Sequence, residues 1–105
     1  MAQKKIISVV WSDPALADLD AIADYIALDH AEAAAKLVRQ VFAETDRLAR
    51  FPSCGRKVPE LRGLPYRELI VRPCRVVYRI EAEIAYIVLV IRSEQLLEEH
   101  RLWRY

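Results

Sequence analysis

The sequence predicts an α+β fold: an N-terminal strand, an antiparallel helix hairpin, a three-stranded antiparallel meander, and a short C-terminal helix or arm. Three observations carry this expectation. Apolar residues recur at helical spacing from Leu16 to Ala49. Three β-branched and aromatic runs, separated by two-residue breaks, follow from Tyr66 to Arg92. Between these regions lie Pro52, Pro59 and Pro65, which interrupt regular structure. With 105 residues, 54% of them hydrophobic, the chain suffices for one core and is too small for two, so residues 1–105 are expected to form a single domain.

The run "KKIISVVW", residues 4–11, is β-branched and predicts the first strand. Ser12 or Asp13 then caps a helix whose first turn accepts Pro14, because no intrahelical partner awaits an N–H there. Leu16, Leu19, Ile22, Ala23 and Ile26 give that helix one apolar stripe as far as about Leu28. Asp18, Asp20 and Asp24 are expected on its solvated outer side. Asp29 and His30 break the pattern. It resumes through Ala34, Leu37, Val38, Val41, Phe42, Thr45 and Leu48, predicting a second helix to about Arg50 that doubles back on the first. Residues 51–65 are a proline-rich crossover carrying Arg56, Lys57 and Arg62. Strands over 66–72, 75–81 and 84–92 follow, and links as short as Pro73-Cys74 and Ala82-Glu83 require antiparallel pairing. The tail "SEQLLEEHRLWRY" predicts the short C-terminal helix or arm.

The longest apolar run, "IAYIVLVI", falls short of the roughly 20 residues of a membrane helix, and the N-terminus lacks the features of a secretory signal. The expected location is therefore cytoplasmic, with no membrane partner. Cys54 and Cys74 read as free thiols in that compartment. Neither cysteine nor His30 nor His100 stands at a metal-ligand spacing, so neither a metal nor another cofactor is expected.

Net charge is only +1, but its distribution is uneven. Residues 11–50 hold eight acids and four bases, a balance of −4; residues 51–80 hold seven bases and two acids, a balance of +5. Such a bipolar molecule steers an anionic partner to one side. With two-residue turns at 73–74 and 82–83, residue 72 opposes 75, 68 opposes 79, and 79 opposes 86. Alternation then places Leu69, Val71, Val76, Tyr78, Ile80, Ile87, Leu89 and Ile91 on a face for the helices. Glu68, Arg72, Arg75, Arg79, Tyr86 and Arg92 fall on the other face, with Arg56 and Lys57 beside it. Cross-strand Glu68 and Arg79 suit an ordinary sheet ion pair, and an uncovered sheet face is commonly polar. A single-sign cluster containing an aromatic also suits binding. Arg67 is expected on the apolar side, either reaching out to solvent or pairing with an acid such as Asp46.

In order, the strand, helix hairpin, proline-rich loop and meander, with "FPSCGR" after the second helix, "YREL", "RVVYRI" and "IVLVI", resemble the RelE/ParE superfamily of toxins from bacterial type II toxin–antitoxin modules. The resemblance spans nearly the whole chain and implies a RelE/ParE-like toxin domain neutralised by a cognate antitoxin in a hetero-oligomer. It also implies one of two activities. ParE-like members inhibit DNA gyrase; RelE-like members enter the ribosome and cut mRNA. On the RelE-like alternative, Glu68 is the base, Tyr86 the acid, and Arg72, Arg75, Arg79 and Arg92 the phosphate clamps. The small net charge, acidic helical flank, long hairpin and "FPSCGRKVPEL" linker favour the ParE-like branch, although Arg92 stands where many ParE-like sequences carry His. On that branch there is no catalytic residue. Arg56, Lys57, Arg72, Arg75, Arg79, Tyr86 and Arg92 are then the candidate binding residues.

Overall fold

The computed structural model describes residues 6–95 and Leu97. Strand β1, Ser8–Trp11, leads into helix α1, Asp13–Ala27. Ser12 caps α1, its hydroxyl accepting from the Ala15 N–H at 3.2 Å, with Pro14 in the first turn. Helix α2, Ala31–Asp46, is shorter than the sequence predicts, because the last turn tightens to a 3₁₀ segment over Arg47–Ala49. Leu48 remains fully buried there.

The proline-rich crossover is more ordered than expected. It contains a two-residue strand, β2 (Arg56–Lys57), and a 3₁₀ turn at Pro59–Leu61. Strands β3 (Tyr66–Val71), β4 (Cys74–Glu81) and β5 (Ile84–Arg92) then form the meander. Among the described residues the sheet has the order β1-β5-β4-β3-β2, with β1 parallel to β5 and the other pairs antiparallel. The expected α+β architecture is therefore present. The expected C-terminal helix or arm lies mostly outside the described residues, which reach Gln95 and include the buried Leu97.

Both helices cover one sheet face, α1 over β5 and α2 over β3. Leu19, Leu37, Val41, Val76, Tyr78, Ala85 and Ile87 form the centre of that core, flanked by Trp11 against Phe42 with ring centroids 5.0 Å apart. Where β1 ends, the exposed edge of β5 needs acceptors for its backbone. Asp18 supplies one, its Oδ2 accepting from the Val90 N–H at 3.1 Å. Asp18 therefore turns toward the sheet, not to the solvated side expected for it.

Two register details differ from the expectation. The β3–β4 turn is Arg72-Pro73, so Val71 opposes Cys74, Glu68 opposes Val77, and Tyr66 opposes Arg79. This slip of two places buries the small hydrophobe Cys74 and leaves Arg72 in water, with side-chain faces unchanged. Between β4 and β5, Ala82 and Glu83 make the expected tight turn with positive φ of 48° and 65°, and Arg79 opposes Tyr86. A bulge then intervenes: Tyr78 opposes Ile87 but Val77 opposes Leu89. Beyond the bulge the alternation reverses. Leu89 and Ile91 join the face away from the helices, and Val90 takes their place under them. Arg92 likewise moves to the helix side, its guanidinium carbon 5.6 Å from the Tyr25 ring and its Nε 2.7 Å from Glu94.

Candidate functional site: a basic cleft beside a buried ion network

The face away from the helices is not an open field of arginines. Val58 and Leu61 from the crossover, with Leu97, cover Val77, Val88, Leu89 and Ile91 and make a second, smaller core. Glu68 and Arg75 lie inside this cover at 1% and 5% exposure. Buried charges persist only when their hydrogen-bonding capacity is met. Arg75 donates from Nε to Glu68 at 2.7 Å, from Nη1 and Nη2 to the two Glu60 oxygens at 2.7 Å each, and to the Gln95 carbonyl at 2.9 Å. The second Glu68 oxygen accepts from Arg56 Nε at 2.6 Å. Glu60 also accepts from the Leu97 N–H at 3.0 Å. The network thus ties the crossover, the middle of the sheet and the C-terminal segment together.

The Arg75 hydrogen bonds hold the Glu60 carboxyl down at about pKa 2, against the opposing effect of its burial. Its partner's guanidinium is pushed further up, chiefly by the bonds to Glu60. The expected cross-strand pairing of Glu68 with Arg79 is replaced by this arrangement. Arg79 instead lies 4.8 Å over the Tyr86 ring, with Nε 3.5 Å from Glu81.

A second set of contacts shapes the loop "FPSCG". Tyr78 is fully buried on the helix side, and its hydroxyl donates to the Pro52 carbonyl at 2.8 Å while accepting from the Gly55 N–H at 2.9 Å. Burial raises the Tyr78 pKa, so the phenol stays neutral and able to donate. Arg67 reaches the Gly55 carbonyl at 2.8 Å, where Asp46 was one expected partner. Gly55 is required by close approach: a Cβ there would lie 2.6 Å from the Tyr78 hydroxyl and 2.7 Å from the Glu68 carbonyl oxygen.

Between this clamped loop and the sheet edge opens a cleft of about 750 Å³, whose lining includes Lys57, Arg62, Arg67, Arg79 and Tyr66. Among the described residues no carboxylate lines it. Of the sequence-derived candidates, Lys57 and Arg79 meet here. Arg56 and Arg72 border a separate depression of about 590 Å³ that also contains Glu60. Arg75 is enclosed by its carboxylates, Tyr86 is capped by Arg79, and Arg92 lies on the opposite face. Arg62, Arg67 and Tyr66 are the cleft residues that sequence reasoning left out. The excess of bases over 51–80 pointed to their region, but choosing among them required the fold of the crossover.

Cys54 is exposed, and Cys74 is buried with its thiol pushed up to about 11 by that burial. The described residues contain no group of three or more His, Cys, Asp or Glu placed to hold a metal ion, and no helix long and apolar enough to cross a membrane.

The order of elements and the sheet topology are those that the resemblance to the RelE/ParE superfamily implies. A structure titled as the chromosomal ParDE toxin–antitoxin system from P. aeruginosa superposes with a TM-score of 0.72 and 26% identity, over 85% of this chain and 98% of that one. The toxin–antitoxin complex RelBE2 from Mycobacterium tuberculosis gives 0.57 and 18% over 90% of this chain and 100% of that one, a likeness of fold. Toxin RelE2 of Caulobacter vibrioides is 36% identical over 89 residues, 84% of this chain and 97% of that protein. The family model for the ParE toxin of the type II toxin–antitoxin system, parDE, matches residues 9–97. The chain belongs to the ParE toxin family of type II toxin–antitoxin systems.

Proposed function

We propose that this toxin is a ParE-like inhibitor of DNA gyrase, acting in the cytoplasm by binding and neutralised by a cognate antitoxin in a hetero-oligomer. The observation that carries this reading is the state of Glu68. A general base must reach the proton it removes. Glu68 is 1% exposed, and guanidinium groups engage both of its oxygens. A ribose hydroxyl has no route to it. Tyr86, the acid of the alternative mechanism, lies beneath the Arg79 guanidinium. What remains accessible is cationic surface, Arg56, Lys57, Arg72 and Arg79, suited to docking. Arg75 contributes by holding the fold beneath that surface, and Arg92 by contact with α1.

The family match to ParE supports the same target, and that match together with the likeness to the ParDE toxin–antitoxin system of P. aeruginosa supports the antitoxin partner. Purified toxin at saturating concentration is expected to abolish gyrase supercoiling of a relaxed plasmid; unimpaired supercoiling would overturn the proposal. One observation favours a second reading, ribosome-dependent mRNA cleavage: the 36% identity to a protein named Toxin RelE2. That reading predicts cuts in translated mRNA that disappear in Arg72→Ala or Arg79→Ala.

A further inference from the structure

We infer that the cleft between the crossover and the sheet edge is a binding site for single-stranded DNA, gripped through its phosphates without sequence preference. The inference deepens the gyrase reading and rests on it for the choice of DNA, since that target holds DNA. Four cations, Lys57, Arg62, Arg67 and Arg79, line one concavity, and none of the cleft's described residues is a carboxylate. Lys57 and Arg62 are exposed and form no ion pair with a described residue. Elsewhere on this sheet the structure neutralises arginines, Arg75 twice over and Arg56 once. Lys57 and Arg62 thus stand uncompensated on one lining, which an anionic ligand relieves, whereas Arg67 is bonded to the Gly55 carbonyl and Arg79 lies 3.5 Å from Glu81.

Shape and lining narrow the ligand. The cleft's volume of about 750 Å³ falls within the range of ligand pockets, about 300–1,000 Å³, and takes a short stretch of one strand. In a duplex the bases are paired and stacked within the helix, so none is free to lie on an aromatic ring in the cleft wall. Tyr66 is half-buried in the wall and offers a ring to a base, and aromatic stacking beside a cationic track is the usual means of holding a single strand without reading it. The described lining has no Asn, Gln, Asp or Glu, so adenine and cytosine edges find no matching side chain there, and the exposed Lys57 and Arg62 are placed for phosphate contact.

The site is held in shape from behind. Tyr78 and Arg67 fix Gly55 and Pro52, the residues that lead into Arg56 and Lys57 on one wall. The cleft therefore exists before any ligand arrives, which limits the ordering needed on binding.

Fluorescence anisotropy of the purified toxin with labelled oligothymidylate, across a salt series, tests the site directly. Binding should weaken steeply with salt, and the double variant Lys57→Ala/Arg62→Ala should bind at least tenfold more weakly. Its log–log salt slope should be shallower by about 1.4, the loss of two phosphate contacts at about 0.7 each on a single strand. Both side chains are exposed, so an unchanged thermal melt separates lost binding from lost fold. Affinity unchanged in the double variant overturns the inference. So does tighter binding of oligouridylate, which assigns the cleft to RNA, or of an acidic peptide, which assigns it to a protein partner. The supercoiling assay is independent: a toxin that blocks gyrase yet ignores oligothymidylate removes this site and leaves the proposed target standing. The reverse result leaves the site and removes the target.

Discussion

On the helix-covered face, Leu19, Leu37 and Val41 meet Val76, Tyr78 and Ile87, and Thr45, a fully buried polar side chain of α2, donates to the Phe42 carbonyl. On the other face a smaller apolar group, Val58, Leu61, Val77, Leu89, Ile91 and Leu97, surrounds a buried Arg75 held by Glu60 and Glu68. The first face is closed by long regular elements with wide apolar stripes, which need no directional contacts to close. The second is closed by a short crossover and the C-terminal segment, which bring too little apolar surface to do so alone. Ion pairs and backbone contacts fix their position instead. The difference teaches where each kind of force is used: non-directional burial where the elements are large, directional charge-assisted bonds where short segments must be held in one place.

The sharpest way to break this contrast is Arg75→Ala, which leaves Glu60 without its guanidinium partner and the fully buried Glu68 with Arg56 alone. It should lower stability by about 3–5 kcal/mol in denaturant titration. Leu19→Ala on the opposite face should remove about 2–5 kcal/mol through lost burial and a cavity, and that loss should be insensitive to pH across the acid range. Equal pH insensitivity for the Arg75 variant and the parent protein would remove the electrostatic account of the second face.

Acid titration separates the two faces further. The Glu60 pKa is depressed from 4.5 to about 2 in the folded chain. Its contribution to stability is therefore fully present above about pH 4.5 and is lost as pH falls toward 2. That contribution is about 3.5 kcal/mol at most, since each tenfold change in proton affinity between the folded and unfolded chain corresponds to roughly 1.4 kcal/mol. Glu60→Gln should flatten the stability curve across that window, measured by thermal melts at closely spaced pH values.

Smaller effects should come from the clamp behind the cleft. Gly55→Ala forces a methyl group against the Tyr78 hydroxyl and the Glu68 backbone, and should destabilise by about 1–3 kcal/mol. Tyr78→Phe leaves the Gly55 N–H without its phenol acceptor and the Pro52 carbonyl without its donor, worth about 1–2 kcal/mol. The smallest change in stability is expected from Lys57→Ala, within about 0.5 kcal/mol, since its side chain is exposed and without an ion pair among the described residues. A large loss there would show that the cleft residues are structural.

Much of the fold was legible because its signals are local. Ser12 and Pro14 mark the start of α1, the apolar spacing of Leu37, Val41 and Leu48 marks the hairpin, and Ala82-Glu83 marks a tight turn, all within a few residues of one another. The candidate site was only partly legible. Arg79 and Lys57 were placed near one another by alternation and proximity, but Arg75 and Arg92 read as their neighbours when neither is.

The sequence by itself determined the order and type of the elements, the α+β class and the concentration of positive charge between residues 51 and 80. Periodicity, capping and proline chemistry act over short distances. Only the tertiary structure decided the register of β5, because "IAYIVLVI" is apolar at every position and its alternation carries no sign of which side faces the helices. Only the tertiary structure, too, divided the arginines into those drawn into the ion network of the second core and those that line the cleft. That division depends on Glu60 and Glu68, which lie 15 and 7 residues from Arg75 in the chain and meet it only when the crossover folds over the sheet.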